Sequence, residues 1–120
     1  MNPSDRQRLE HICYYCEDVA DAIETFGNSY EAFLGNVHYL NTVSMSIMQI
    51  GELVGGLSAE FKSGTRQMMW GLIKGMRNIV AHNYRGINKE VIWDAAINDI
   101  PALLAFCKEI LAREEDNIKE

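Results

Sequence analysis

The sequence predicts an all-α fold, an antiparallel bundle of about four to six helices. Two observations point there. Apolar residues recur with a period near 3.6 along most of the chain, while strand-like alternation is nearly absent. Helix punctuation (Gly-Asn-Ser at 27–29, Gly-Gly at 55–56, Gly86, Pro101) also divides the chain into segments of helical length. With 120 residues, 48% hydrophobic and 23% charged, the chain is one domain's worth of a globular protein and is read as a single domain, 1–120. Such a composition excludes a disordered tail, a collagenous repeat and a disulfide scaffold.

The first helix is expected from a Ser4 cap to about Thr25. Its apolar stripe is Leu9, Ile12, Cys13, Cys16, Val19, Ala20 and Ile23, with Glu10, Glu17, Asp18, Asp21 and Glu24 facing water. Gly27-Asn28-Ser29 stops it, and Ser29 caps a short helical turn through Phe33. A second long helix, Val37 to Val54, sets Leu40, Val43, Ile47, Ile50, Val54 and Leu57 on one seam. Gly55-Gly56 breaks it, and 58–61 forms another short turn. A third long helix is expected over Thr65–Asn83, and two more near Lys89–Asn98 and Pro101–Glu115, with Pro101 in a first turn and fraying from Glu114 on.

The three cysteines, Cys13, Cys16 and Cys107, are an odd number, and residues 1–6 carry no apolar targeting segment. A reducing cytoplasm is expected, and no run approaches membrane-spanning length. Cys13 and Cys16 have C-x-x-C spacing but share one apolar helical face, which reads as core, not as a metal or redox site.

Charge is unevenly spread. The net charge is −6, yet the segment Phe61–Lys89 holds Lys62, Arg66, Lys74, Arg77, Arg85 and Lys89 with no carboxylate, hence +6; the remainder carries −12. Anionic ligands would be drawn to that tract alone. The alternative is a basic helix paired with acidic neighbours such as Glu52.

On a helical wheel the third helix divides in two. The core side is expected to hold Met69, Leu72, Ile73, Met76, Ile79 and Val80. Opposite lie Trp70, Gly71, Lys74, Gly75, Arg77, Asn78, Ala81, His82, Tyr84 and Arg85, a face with cations, aromatics and small residues but no acid. Gly71 and Gly75 each cost a helix about 1 kcal/mol relative to Ala. They pack against a neighbouring helix of the same chain, or they admit a second subunit or an RNA backbone. Arg77 and His82 sit about 140° apart around the helix and roughly 7.5 Å along it. Arg77 and Tyr84 form one ridge, Asn78 and His82 another.

Those residue types suit cleavage of RNA without metal. A neutral imidazole can take the 2′-hydroxyl proton, and a guanidinium can hold the phosphate through paired donors. Asn78 could orient His82 or donate to phosphate. An acid-free tract is unlike a two-metal nuclease, which needs carboxylate ligands. A lone His near a helix end can equally be a cap or a surface group. His11 and His38 lack clustered partners and read as ordinary helix residues, and Glu52 pairs with Arg77 or Lys74 or is simply solvated.

The segment Arg77-Asn78-Ile79-Val80-Ala81-His82-Asn83-Tyr84 resembles the R-x4-H-x-Y motif of HEPN-domain proteins, specifically the HepT-like toxin family. Met69-Trp70 and Lys74-Gly75-Met76 upstream, and Ile87–Trp93 and Asp99–Leu103 downstream, are similar to the same family, as is Ile50-Gly51-Glu52. Leu53-Val54-Gly55-Gly56 departs from the Ala-rich continuation expected there.

The resemblance implies a HEPN-like antiparallel bundle that forms a homodimer, with the motif helices meeting at a cleft. It implies a metal-independent endoribonuclease, the toxin of a pair with a minimal nucleotidyltransferase antitoxin. Carried over by position, Arg77, His82 and Asn78 would be catalytic, and Tyr84 would be the tyrosine the antitoxin modifies with AMP. Lys74 and Arg85 are the candidate RNA-phosphate contacts; no metal or cofactor is expected. The competing reading is a non-catalytic HEPN module that binds a nucleotide or a nucleotidyltransferase partner and uses Arg77 and His82 as phosphate clamps.

Overall fold

The computed structural model describes residues 1–86 and 88–119, with side chains through 116; Ile87 of the downstream motif lies outside the described residues. Helix α1 spans Pro3–Phe26, α2 Tyr30–Leu34, α3 Val37–Gly55, α4 Ala59–Gly64, α5 Trp70–Asn83, α6 Lys89–Asp94 and α7 Ile100–Lys119, with a π turn over Ala95–Asp99. No strand occurs among the described residues. The fold is the expected all-α bundle. Helix α3 is central, packed on one side against α1 and on the other against α5, while α7 lies along α1.

Helix α1 is capped by Asn2 rather than Ser4. The Asn2 side chain accepts a hydrogen bond from the Asp5 N–H at 2.7 Å, and Pro3 occupies the first helical position, where a missing N–H costs nothing. Asp5 then turns inward and is buried. Its carboxylate accepts from the Ser58 N–H at 2.9 Å and from the Ser58 hydroxyl at 2.6 Å, tying the start of α1 to the start of α4. Leu9, Ile12, Cys13, Cys16 and Val19 are buried as expected, but Ala20 faces solvent and Ala22 takes the inner position.

The α3 seam is as the spacing predicts: Leu40, Val43, Ile47, Ile50, Val54 and Leu57 are all buried. Tyr39 joins them. It donates from its hydroxyl to the Gly27 carbonyl at 3.0 Å and packs against Phe26, Phe33 and Trp93, with ring centroids 5.2–6.0 Å apart. Gly27, at φ +120°, supplies the backbone conformation that ends α1.

Two further expectations fail. Helix α5 begins at Trp70, not Thr65, because residues 65–69 form a turn. The Thr65 hydroxyl donates to the Phe61 carbonyl at 2.7 Å and accepts from Trp70 Nε1 at 3.0 Å, which closes that turn and buries the indole. The two C-terminal helices, moreover, are joined. The Ile100 N–H donates to the Ala95 carbonyl, an i→i−5 bond, so the chain passes from α6 to α7 through a π turn. The widened turn lies immediately before Pro101, whose ring would clash with a regular preceding turn and whose nitrogen cannot donate. Helix α7 extends through Lys119.

Candidate active site

Helix α5 carries the basic motif, and its fit against α3 is set by glycine. A Cβ placed on Gly51 would lie 2.7 Å from the Arg77 Cβ and 3.4 Å from the Lys74 carbonyl oxygen; one on Gly55 would lie 3.5 Å from the Lys74 Cε. Gly51 and Gly55, four apart on α3, therefore let α5 approach at the turn bearing Lys74 and Arg77. The two helices run antiparallel here, with Gly55 beside Lys74, Glu52 beside Arg77, and Asn41 beside Tyr84.

Arg77 is half-exposed, and its Nε lies 2.5 Å from Glu52 Oε1. The pair forms as the sequence reading allowed, and it is Arg77 rather than Lys74 that Glu52 meets. Bonding through Nε leaves the terminal guanidinium nitrogens free of this contact. Around the pair opens a cleft of about 550 Å³, lined by Gly51, Glu52, Gly55 and Gly56 on one side and by Gly71, Lys74, Gly75, Arg77 and Asn78 on the other. A Cβ on Gly71 or Gly75 would meet nothing within 4 Å. Neither glycine packs against a neighbouring helix of this chain, and the space beside both is open.

Asn78 and His82 are exposed on the outer side of α5. His82, in the last turn, is not among the residues lining the Arg77 cleft. One chain thus brings Arg77, Asn78 and Lys74 to a common cleft but leaves His82 at its flank. Tyr84 follows the helix and turns toward α3, where its hydroxyl donates to Asn41 Oδ1. Arg85 is exposed in the turn that Gly86 closes at φ +108°.

Three residues assigned to the core side of α5 are not buried: Met69 is 64% exposed, Leu72 63% and Ile79 45%. Trp70, assigned to the polar face, is buried between Phe61 and Phe106. The inward arc runs through Trp70, Ile73, Met76 and Val80, rotated by about 60° from the expected one. Gly51 as a contact residue, and Asn41 as the Tyr84 partner, had no signal in the motif. The small-x-x-x-small spacing of Gly51 and Gly55 was the available clue.

The family model described as ribonuclease HepT-like matches residues 14–110. The chain belongs to that family. Among its HepT-like relatives, a protein of Caldanaerobacter subterraneus subsp. tengcongensis named "Putative RNase" is 34% identical over 110 residues, covering 92% of this chain and 96% of the relative. One of Methanocaldococcus jannaschii with the same designation is 32% identical, covering 79% of each chain. A "Probable ribonuclease HepT" of Thermococcus cleftensis is 30% identical, covering 74% of this chain and 86% of that one. No solved structure matches. The HepT-like match contains α5 whole, so the cleft and the R-x4-H-x-Y segment both fall inside it. Among the described residues, no helix is long and apolar enough to cross a membrane, and no group of three or more His, Cys, Asp or Glu could hold a metal ion.

Proposed function

We propose that this chain is a metal-independent endoribonuclease whose site is completed in a homodimer, the toxin of a pair with a nucleotidyltransferase antitoxin that silences it by attaching AMP to Tyr84. The observation that carries the reading is the placement of Arg77, Lys74 and Asn78 around one open cleft in a chain of a ribonuclease family, with His82 exposed at its flank. His82 of one subunit takes the 2′-hydroxyl proton, and the freed oxygen attacks phosphorus. Charge that builds on the phosphoryl oxygens is held by Arg77, with Lys74, Asn78 and Arg85 along the strand. The 5′-oxygen leaves with a proton from the partner subunit's His82, giving a 2′,3′-cyclic phosphate and a 5′-hydroxyl.

Two features support the dimer: the open faces of Gly71 and Gly75, and the exposed apolar ridge of Leu72 and Ile79 on the same helix with Met69 just before it. AMP on Tyr84, the last residue of the motif, adds bulk and a phosphate charge beside the cations and opposes RNA entry. His82→Ala and Arg77→Ala are expected to abolish cleavage of RNA while leaving the helical circular dichroism unchanged, with EDTA without effect on the wild type. Full cleavage by the His82→Ala protein overturns the mechanism.

A further inference from the structure

A second cavity, of about 490 Å³, lies along the same α3–α5 seam as the Arg77 cleft, one helical turn toward the end of α5. Its walls are Asn41, Ser44, Met45 and Met48 from α3 and Ala81 and Tyr84 from α5. We infer that it is a nucleobase pocket, taking the base attached to the ribose phosphate held at Arg77. In placing the phosphate there, the inference rests on the ribonuclease reading above.

Four features of the pocket favour a flat heteroaromatic ligand over simple apolar packing. Ser44 is 1% exposed, and its hydroxyl has no hydrogen-bond partner among the described residues. A buried hydroxyl left unmet costs about 1–3 kcal/mol, which a ring nitrogen or carbonyl of a base would relieve once a small shift of the α3 wall uncovers it. Asn41 uses its carbonyl oxygen for the Tyr84 hydroxyl, so its amide nitrogen, in an exposed residue, can still donate. The Tyr84 ring, 36% exposed, offers a stacking face, as aromatics do in single-strand RNA recognition. Met45 and Met48 supply polarizable thioethers that adapt to an aromatic edge.

Position agrees with chemistry. Ala81 lies four residues past Arg77, hence roughly 6 Å along the helix, a separation that one ribose bridges between its phosphate and its base. No carboxylate lines the pocket itself; the one beside the adjoining phosphate position, Glu52, is paired with Arg77.

The test uses the wild-type protein with 13C-labelled methionine methyls, titrated with each of the four 5′-nucleoside monophosphates and with ribose 5-phosphate. Expected are shifts of the Met45 and Met48 methyls with nucleotides and not with ribose 5-phosphate. Ser44→Ala and Asn41→Leu are each expected to raise the nucleotide dissociation constant by about tenfold, the worth of a lost hydrogen bond. Met45→Trp, at an exposed position, fills the mouth and abolishes the shift at Met48. Methyls that no nucleotide moves, or that ribose 5-phosphate moves equally, overturn the pocket, as do unchanged affinities in both wall variants. Cleavage of labelled RNA is measured alongside. Base-dependent shifts without any cleavage keep the pocket and sink the ribonuclease reading; cleavage without such shifts does the reverse.

Discussion

Arg77 Nε meets Glu52 Oε1 at 2.5 Å, one residue along α3 from the glycine that gives the arginine its room. Both side chains are at least half exposed, and a pair in that setting contributes about 0–1 kcal/mol to stability. Its expected consequence is therefore orientation: the carboxylate meets Nε at the cleft that Arg77 and Glu52 both line, and the outer nitrogens are left for another acceptor. Glu52→Gln is expected to leave the melting temperature nearly unchanged but to lower kcat for RNA cleavage by about 10- to 100-fold, the loss that misplacement by an ångström brings. Glu52→Asp should recover part of it. A Glu52→Gln protein with wild-type kcat would show that Arg77 needs no such positioning.

The glycines separate stability from activity. Gly51→Ala drives a methyl against the Arg77 Cβ, and relief requires α3 and α5 to part, at a cost of about 1–3 kcal/mol. Gly75→Ala meets open space and removes a poor helix former, so it should stabilise by up to about 1 kcal/mol. If Gly75 faces the RNA backbone or a second subunit, that stabilised protein cuts RNA more slowly. Urea unfolding and a cleavage assay on the two variants check both halves.

The apolar ridge of α5 provides a test of assembly. Leu72 is 63% exposed, so Leu72→Glu should change the stability of the isolated chain by no more than about 0.5 kcal/mol. At the centre of an interface between two copies, the same change buries an unpaired carboxylate in each subunit and dissociates them. Light scattering on the wild type and the variant distinguishes the two situations. A variant that keeps the wild-type mass removes this ridge from the interface.

The sequence makes some of these elements plain and hides others for physical reasons. The α3 seam is readable because α3 is covered on both sides, so every apolar residue at the right spacing is inside. Helix α5 packs mainly on α3 and α6 and meets α7 chiefly through Trp70, so an apolar stripe there need not face inward. Met69, Leu72 and Ile79 look like core by composition and are surface by position. Trp70 reads as polar-face by angle, yet the Thr65 hydroxyl gives its indole N–H a buried partner, a contact that periodicity does not carry. The junction at Ala95–Asp99 is hidden likewise: Pro101 signals a break, and the chain absorbs it with one wide turn instead of stopping. The R-x4-H-x-Y residues were legible as a motif. That Arg77 lines the cleft while His82 does not follows from their angular offset, which the spacing does give.

The buried Cys16 thiol contributes to the alkaline behaviour. Burial pushes the Cys16 thiol from 9.0 up to about 12, with nearby Cys13 and Glu17 acting in the same direction. In the unfolded chain a thiol gives up its proton near pH 9, whereas the folded protein keeps it to about pH 12. The unfolded state therefore binds fewer protons throughout that window, and stability, complete below pH 9, falls as pH rises toward 12. The Cys16 contribution to the slope is about 1.4 kcal/mol per pH unit. Tyr39, its hydroxyl raised above 10.0 by burial, steepens the fall above that pH. Cys16→Ala shifts the whole curve by the cavity it opens but should also flatten it between pH 9 and 11 by that amount. Urea unfolding at a series of pH values reads the slope directly, and parallel curves for the two proteins would show that the Cys16 thiol does not govern the alkaline limit.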